Sequence, residues 1–172
     1  MSETVVTPAT TPVSVTKLGH LVYEVSDIER STHFWTAILG FVVSDRNEQG
    51  MVFLRSRNDH HAIALVPSKQ TERPPANAGL QVNHLAMEID SLDALFAARA
   101  FFRENGVRIG YEGRRGPGCN IGIEFYDPDG YLFEIYYGMD QIASDGRVRP
   151  ASHYKRATTL EDAVANPVPA TW

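Results

Sequence analysis

One seven-residue pattern occurs twice in this chain. Gly19-His20-Leu21-Val22-Tyr23-Glu24-Val25 and Asn83-His84-Leu85-Ala86-Met87-Glu88-Ile89 share an order: a small or polar residue, His, apolar, small apolar, bulky, Glu, β-branched. Both runs alternate side chains with the period of a strand. Both lead into an acidic segment suited to starting a helix: Ser26-Asp27-Ile28-Glu29 in the first copy, Asp90-Ser91 in the second. A repeated strand-to-helix entry restricts the chain to folds made of two copies of one unit. It also puts a histidine at the same place in each copy.

The rest of the chain extends the repeat. In the first copy the pattern predicts a strand at 20–25, then a helix carrying Ile28, Phe34, Trp35, Ile38 and Leu39 that ends at Gly40. Strands follow at 41–45, 51–56 and 60–66, separated by polar turns. Residues 69–79, with Pro74, Pro75, Asn77 and Gly79, read as a linker. The second copy predicts a strand at 80–89, a helix at 92–104, and strands near 107–111, 120–126 and 131–137. Asp127-Pro128-Asp129-Gly130 forms a hairpin turn between the last two. The order is β-α-β-β-β twice: an α+β fold of two modules, 17–68 and 80–138. Residues 1–16, rich in Thr, Val, Ser and Pro, read as a flexible arm without the features of a signal peptide. Residues 139–172 form a polar tail with one short helix at 160–165, which either crosses the domain or meets a neighbouring subunit.

Composition removes several function classes. At 172 residues and 43% apolar, the chain suits one compact domain or two half-units sharing a core. A net charge of −5 offers no basic surface for nucleic acid. No apolar run reaches the roughly 18 residues of a membrane span. The single cysteine, Cys119, excludes an internal disulfide and fits a reducing, cytoplasmic compartment.

Strand alternation places His20, Val22 and Glu24 on one face and Leu21, Tyr23 and Val25 on the other, with His84, Ala86 and Glu88 equivalent in the second copy. The bulky face belongs under the helices; the face with His and small residues belongs to a cavity. Two imidazoles brought together need a carboxylate to make a metal site. Glu24 and Glu88 are unsuitable, since four residues along a strand span about 13 Å. Glu134 is the better candidate. It stands in an otherwise apolar strand, where a carboxylate is costly unless paired with a cation or hydrogen-bonded. Two His and one carboxylate with open positions is the arrangement of non-haem Fe(II) oxygenases.

With these residues in view, the stretch from Lys17 to Gly138 resembles the vicinal oxygen chelate superfamily, which includes glyoxalase I, fosfomycin and bleomycin resistance proteins and type I extradiol dioxygenases. The resemblance rests on Gly19-His20-Leu21, Phe34-Trp35 with Leu39-Gly40-Phe41, Asn83-His84-Leu85-Ala86, and Asp127-Pro128-Asp129-Gly130 leading to Glu134. It implies two βαβββ modules forming a half-open β-barrel around a divalent metal, with His20, His84 and Glu134 as ligands. The fourth ligand usual in glyoxalase I-like members has no counterpart in the strand from His60 to Val66. His61 precedes Ala64-Leu65 by the spacing of an acid–base histidine in extradiol enzymes, a role that suits imidazole near neutral pH. His60, on the other face, is expected to be structural or exposed.

Two positions depart from the extradiol pattern. Arg115, in Gly113-Arg114-Arg115-Gly116-Pro117-Gly118, stands where many members have His, and Glu124 stands where a substrate-binding Tyr is common. Tyr126, two residues on, is a possible substitute for that Tyr.

The resemblance thus implies an extradiol ring-cleaving dioxygenase of aromatic catabolism, with Fe(II) as cofactor and Mn, Zn, Ni or Co as alternatives. Its partners would be a small aromatic diol and O2, in a homodimer or larger homo-oligomer. A metal-dependent isomerase, lyase or epimerase using Glu124 as a base, and a metal-free binding or resistance protein, are the alternatives.

Overall fold

A computed structural model of the chain describes residues 15–72, 82–142 and 144–170. The arm at 1–16 and the linker at 69–79 fall largely outside the described residues, as do the first two residues of the strand expected at 80–89.

The chain folds as α+β, in two four-stranded mixed sheets with few helices. The first module holds β1 (Leu21–Val25), α1 (Ile28–His33), β2 (Val42–Arg46), β3 (Val52–Arg55) and β4 (Ile63–Pro67). The second holds β5 (Leu85–Glu88), α2 (Leu92–Glu104), β6 (Ile109–Arg114), β7 (Ile121–Tyr126) and β8 (Leu132–Tyr137), and α3 (Leu160–Ala165) follows in the tail. The sheet orders are β1-β4-β3-β2 and β5-β8-β7-β6. In each, the helical crossover makes the first strand parallel to the last, and the other pairs are antiparallel. The two sheets remain separate and do not close into a barrel.

Local chemistry accounts for the helix entries. Asp27 accepts the backbone N–H groups of Glu29 and Arg30, and Ser91 accepts that of Ala94. The first helix departs from expectation in its second half. Phe34–Ile38 widens into a π-helix, with the Leu39 N–H donating to the Phe34 carbonyl. An α-helix would splay the neighbours Phe34 and Trp35 by about 100°. Both are buried here, and the wider turn is the local adjustment at which this happens. Strand β5 starts at Leu85 rather than 80, and His60 and His61 precede β4 instead of opening it.

The two modules share one core. Trp35, fully buried, meets Phe41 at 4.8 Å and Phe133 of the second module at 5.2 Å between ring centroids. Phe34 meets Phe125, and Tyr23 meets Tyr131 and Phe133. The Asp127–Gly130 turn extends this contact. The Trp35 indole N–H donates to the Tyr23 hydroxyl (2.7 Å), which donates to the Asp127 carboxylate (3.1 Å). Asp129 accepts from the Ser26 backbone N–H at 2.9 Å and pairs with Arg30 at 2.5 Å. The predicted hairpin turn is therefore also a plug between modules.

Burial pushes the Asp127 carboxyl up to about 6, against the downward pull of the Tyr131 backbone N–H and the Tyr23 hydroxyl. The folded protein therefore holds a proton that the unfolded chain releases near the ordinary value of 3.8. The associated stability, about 3 kcal/mol, is present below pH 3.8 and lost as pH rises through 6. Urea unfolding from pH 4 to 7.5 should show this loss in the wild type. An Asp127→Asn variant should lack that part of the slope; parallel profiles for the two proteins would refute it.

The tail packs on β6. Arg114, 2% exposed, donates to the carbonyls of Lys155 (3.0 Å), Asn166 (2.9 Å) and Ala163. Arg114 and Ala157 exchange both backbone hydrogen bonds. At Gly113 (φ +128°) a Cβ would lie 2.2 Å from the Ala157 carbonyl oxygen, so the close crossing requires glycine. Of the alternatives left open by the sequence, the structure has the tail crossing the domain. Among the described residues, no helix is long and apolar enough to cross a membrane.

Candidate active site

The second sheet carries the site. Alternation turns Phe125, Phe133 and Ile135 toward the buried core. The opposite face receives Ala86 from β5, Glu134 from β8 and Glu124 from β7. Cross-strand register sets Ala86 opposite Glu134, Glu124 opposite Glu134, and Tyr111 opposite Glu124. These residues line a cavity of about 560 Å³ together with Asn83, His84, Arg115, Asn120, Leu132 and Met139. That volume suits a small organic ligand.

At one wall, His84 Nε2 lies 3.4 Å from Glu134 Oε2. The other imidazole nitrogen, Nδ1, is 2.7 Å from the Asn83 side-chain oxygen. An oxygen only accepts, so with this partner Nδ1 carries a hydrogen and Nε2 is the nitrogen turned toward the carboxylate. Two lone pairs facing one another need a cation between them, either a proton or a metal ion. Glu134 is anchored at its other oxygen by the Asn120 amide, 2.9 Å away. Burial pushes its carboxyl up, the nearby Glu124 adds to this, and His84, Asn120 and Arg115 oppose it. Gly122 lies beneath, where a Cβ would come within 2.3 Å of Glu134 Oε1.

This donor pair fits a divalent ion: one imidazole nitrogen and one carboxylate oxygen, each with its other polar atom held. His20 is placed differently. It is exposed at the start of β1, its ring 4.6 Å from that of His61 and absent from the cavity lining. Among the described residues, no three His, Cys, Asp or Glu side chains gather closely enough to hold a metal together. His61 stands between His20 and Phe53, with its Nδ1 3.0 Å from that of exposed His60. Burial, then the neighbouring His20 and His60, hold its imidazole below the usual range. Glu24 accepts from Ser68 at 2.8 Å.

Glu124, 8% exposed, is gripped by Arg115: Nε to Oε1 at 2.5 Å and Nη2 to Oε2 at 2.7 Å. Arg115 lies over the Tyr111 ring, 3.9 Å from its centroid. Tyr126 does not line this cavity. Its ring sits beneath the Arg108 guanidinium at 3.5 Å and over Gly110, whose missing Cβ leaves the room. The cavity's phenol is Tyr111, which sequence reasoning missed. Its hydroxyl donates to the Ala157 carbonyl at 2.6 Å. Tyr111 and Gly122 carry no local signal; only the register of β6, β7 and β8 brings them to Glu124 and Glu134.

Residues 17–135 match the family model described as the glyoxalase/bleomycin resistance protein/dioxygenase superfamily. The chain belongs to that superfamily. It is 26% identical over 130 residues to manganese-dependent 2,3-dihydroxybiphenyl 1,2-dioxygenase of Geobacillus genomosp. 3, covering 74% of this chain and 38% of that protein. It is 30% identical over 133 residues to 2,2',3-trihydroxybiphenyl dioxygenase of Sphingomonas paucimobilis, covering 73% of this chain and 42% of that protein. The chain spans about two-fifths of the length of these curated relatives. Among solved structures, a glyoxalase/dioxygenase from Nostoc punctiforme superposes with a TM-score of 0.60 at 23% identity, covering 78% of this chain and 99% of that one. At that identity the likeness speaks for the superfamily's fold alone.

Proposed function

We propose that this superfamily member is a metal-dependent extradiol dioxygenase that cleaves a catechol-like aromatic diol with O2. The observation that carries the reading is the His84–Glu134 pair at the wall of a ligand-sized cavity. Two relatives named as dioxygenases of hydroxylated biphenyls support it. His84 and Glu134 would hold the ion, and His20 would be the third donor that the superfamily resemblance implies. In the structure the His20 ring lies beside that of His61, 4.6 Å away and tilted by 45°, and no hydrogen bond holds it among the described residues. Fe(II) and Mn(II) both suit nitrogen and oxygen donors. Bound there, the ion supplies Lewis acidity and a template for two adjacent hydroxyls.

The protein's own groups do the rest. His61, whose imidazole is held below the usual range, is the proton acceptor that the superfamily resemblance implies, although it does not line the cavity. Asn120 keeps Glu134 aimed, and Asn83 fixes the His84 tautomer. Glu124 serves poorly as the base of an isomerase, because both its oxygens are occupied by Arg115.

Anaerobically purified protein loaded with Fe(II), Mn(II) or Zn(II) and mixed in air with catechol and 3-substituted catechols tests the proposal. Fe(II) or Mn(II) protein should consume O2 and form yellow ring-opened product in equal amounts, and Zn(II) protein should do neither. Absence of O2 uptake across the diol panel with all three metals would refute it.

A further inference from the structure

Arg115 and Glu124, the two departures from the extradiol pattern, are partners in one ion pair on the cavity wall. Its two members face the cavity differently. The Glu124 side chain is 11% exposed, and each of its oxygens already accepts from Arg115. The Arg115 side chain is 60% exposed and lines the cavity. Its Nε and Nη2 are committed to Glu124, and its Nη1, with two N–H donors, makes no hydrogen bond among the described residues.

We infer that Arg115 selects the substrate, and that the substrate is an aromatic diol bearing a carboxylate, which the free Nη1 edge of the guanidinium binds. This deepens the dioxygenase reading and rests on it for the diol. The guanidinium is already held over the Tyr111 ring and forked onto Glu124, so binding a carboxylate costs it little further side-chain freedom. Tyr111 is itself fixed by the tail through Ala157. Glu124 is the positioning residue: it orients the fork and offsets part of its charge beside Glu134. An alkyl or phenyl substituent pressed on the same edge would strip water from two charged donors without replacing their hydrogen bonds. An ammonium substituent would meet a positive group.

Anaerobic calorimetric titration of Mn(II)-loaded full-length protein with 4-methylcatechol, 2,3-dihydroxybenzoate and 3,4-dihydroxybenzoate tests this. The wild type should bind the better dihydroxybenzoate at least about tenfold more tightly than 4-methylcatechol, the effect of one charge-assisted hydrogen bond. An Arg115→Met, Glu124→Gln double variant removes both charges together, so no buried carboxylate is left unpaired, and its preference should fall to about one. Arg115→Lys, which keeps the charge but not the fork, should lose at least about threefold of it. Equal affinities in the wild type, binding of none of the three, or a preference that survives in the double variant would overturn the inference. The first and last of these leave ring cleavage untouched. A preference that vanishes in the double variant, in a protein that takes up no O2 with any diol, supports Arg115 and overturns the dioxygenase reading instead.

Discussion

Glu134→Gln is expected to lower metal affinity by more than about 100-fold, with O2 uptake falling in step. Loss of a residue that merely orients a ligand typically costs 10–100-fold in affinity or activity, and Glu134 is proposed as a ligand itself. The substitution is mild for the fold. A Gln oxygen still accepts the Asn120 amide now 2.9 Å from Oε1, and the side-chain volume is unchanged. Burial already disfavours the ionised carboxyl, so the metal-free variant should be at least as stable as the metal-free wild type. Metal analysis after dialysis, together with thermal unfolding, separates this outcome from misfolding. Gly122→Ala should act in the same direction, since its Cβ would take the space of Glu134 Oε1. A folded Glu134→Gln protein that retains its metal would remove Glu134 from the site.

Trp35→Ala is expected to destabilise the protein by about 3–5 kcal/mol, the usual cost of emptying a large aromatic site. Typical domains have 5–15 kcal/mol in total, so this is a large share. Trp35 is fully buried and packs edge-on to Phe41 and Phe133, which joins the first module's helix to the second module's β8. Its indole N–H also donates to Tyr23, the first link of the chain ending at Asp127. Trp35→Phe should cost less, because it keeps a ring and loses mainly that hydrogen bond. Urea unfolding should show the midpoint falling for Trp35→Ala with the slope unchanged. A loss under about 1 kcal/mol would mean that the modules do not depend on this contact.

Features that one strand, one helix or one turn specifies locally were legible in the sequence. Alternation around His20 and His84 identified the faces of β1 and β5. Helix α2 lies at Leu92–Glu104, where its capping residues put it, and the short helix read at 160–165 is α3, Leu160–Ala165. Asp127-Pro128-Asp129-Gly130 announced its turn because Asp127 accepts the following N–H groups and Gly130 takes φ +82°. These signals lie within a few residues of one another, so no distant partner has to be known.

Which side chains meet follows from the packing of the folded chain. The widened turn at Phe34–Ile38 answers to a core that wants both aromatics. His20 lies beside His61 while His84 faces Glu134, a division that the similar sequence settings of the two histidines conceal. Arg115 and Glu124 read as separate oddities along the chain, and strand register makes them one ion pair. Tyr111 reaches the cavity because β6 shifts register between Ile109 and Tyr111, which sets it opposite Glu124, while Tyr126 lies under Arg108. Such pairings depend on how strands align and helices pack across long sequence distances, and that free energy belongs to the assembled core and not to any local segment.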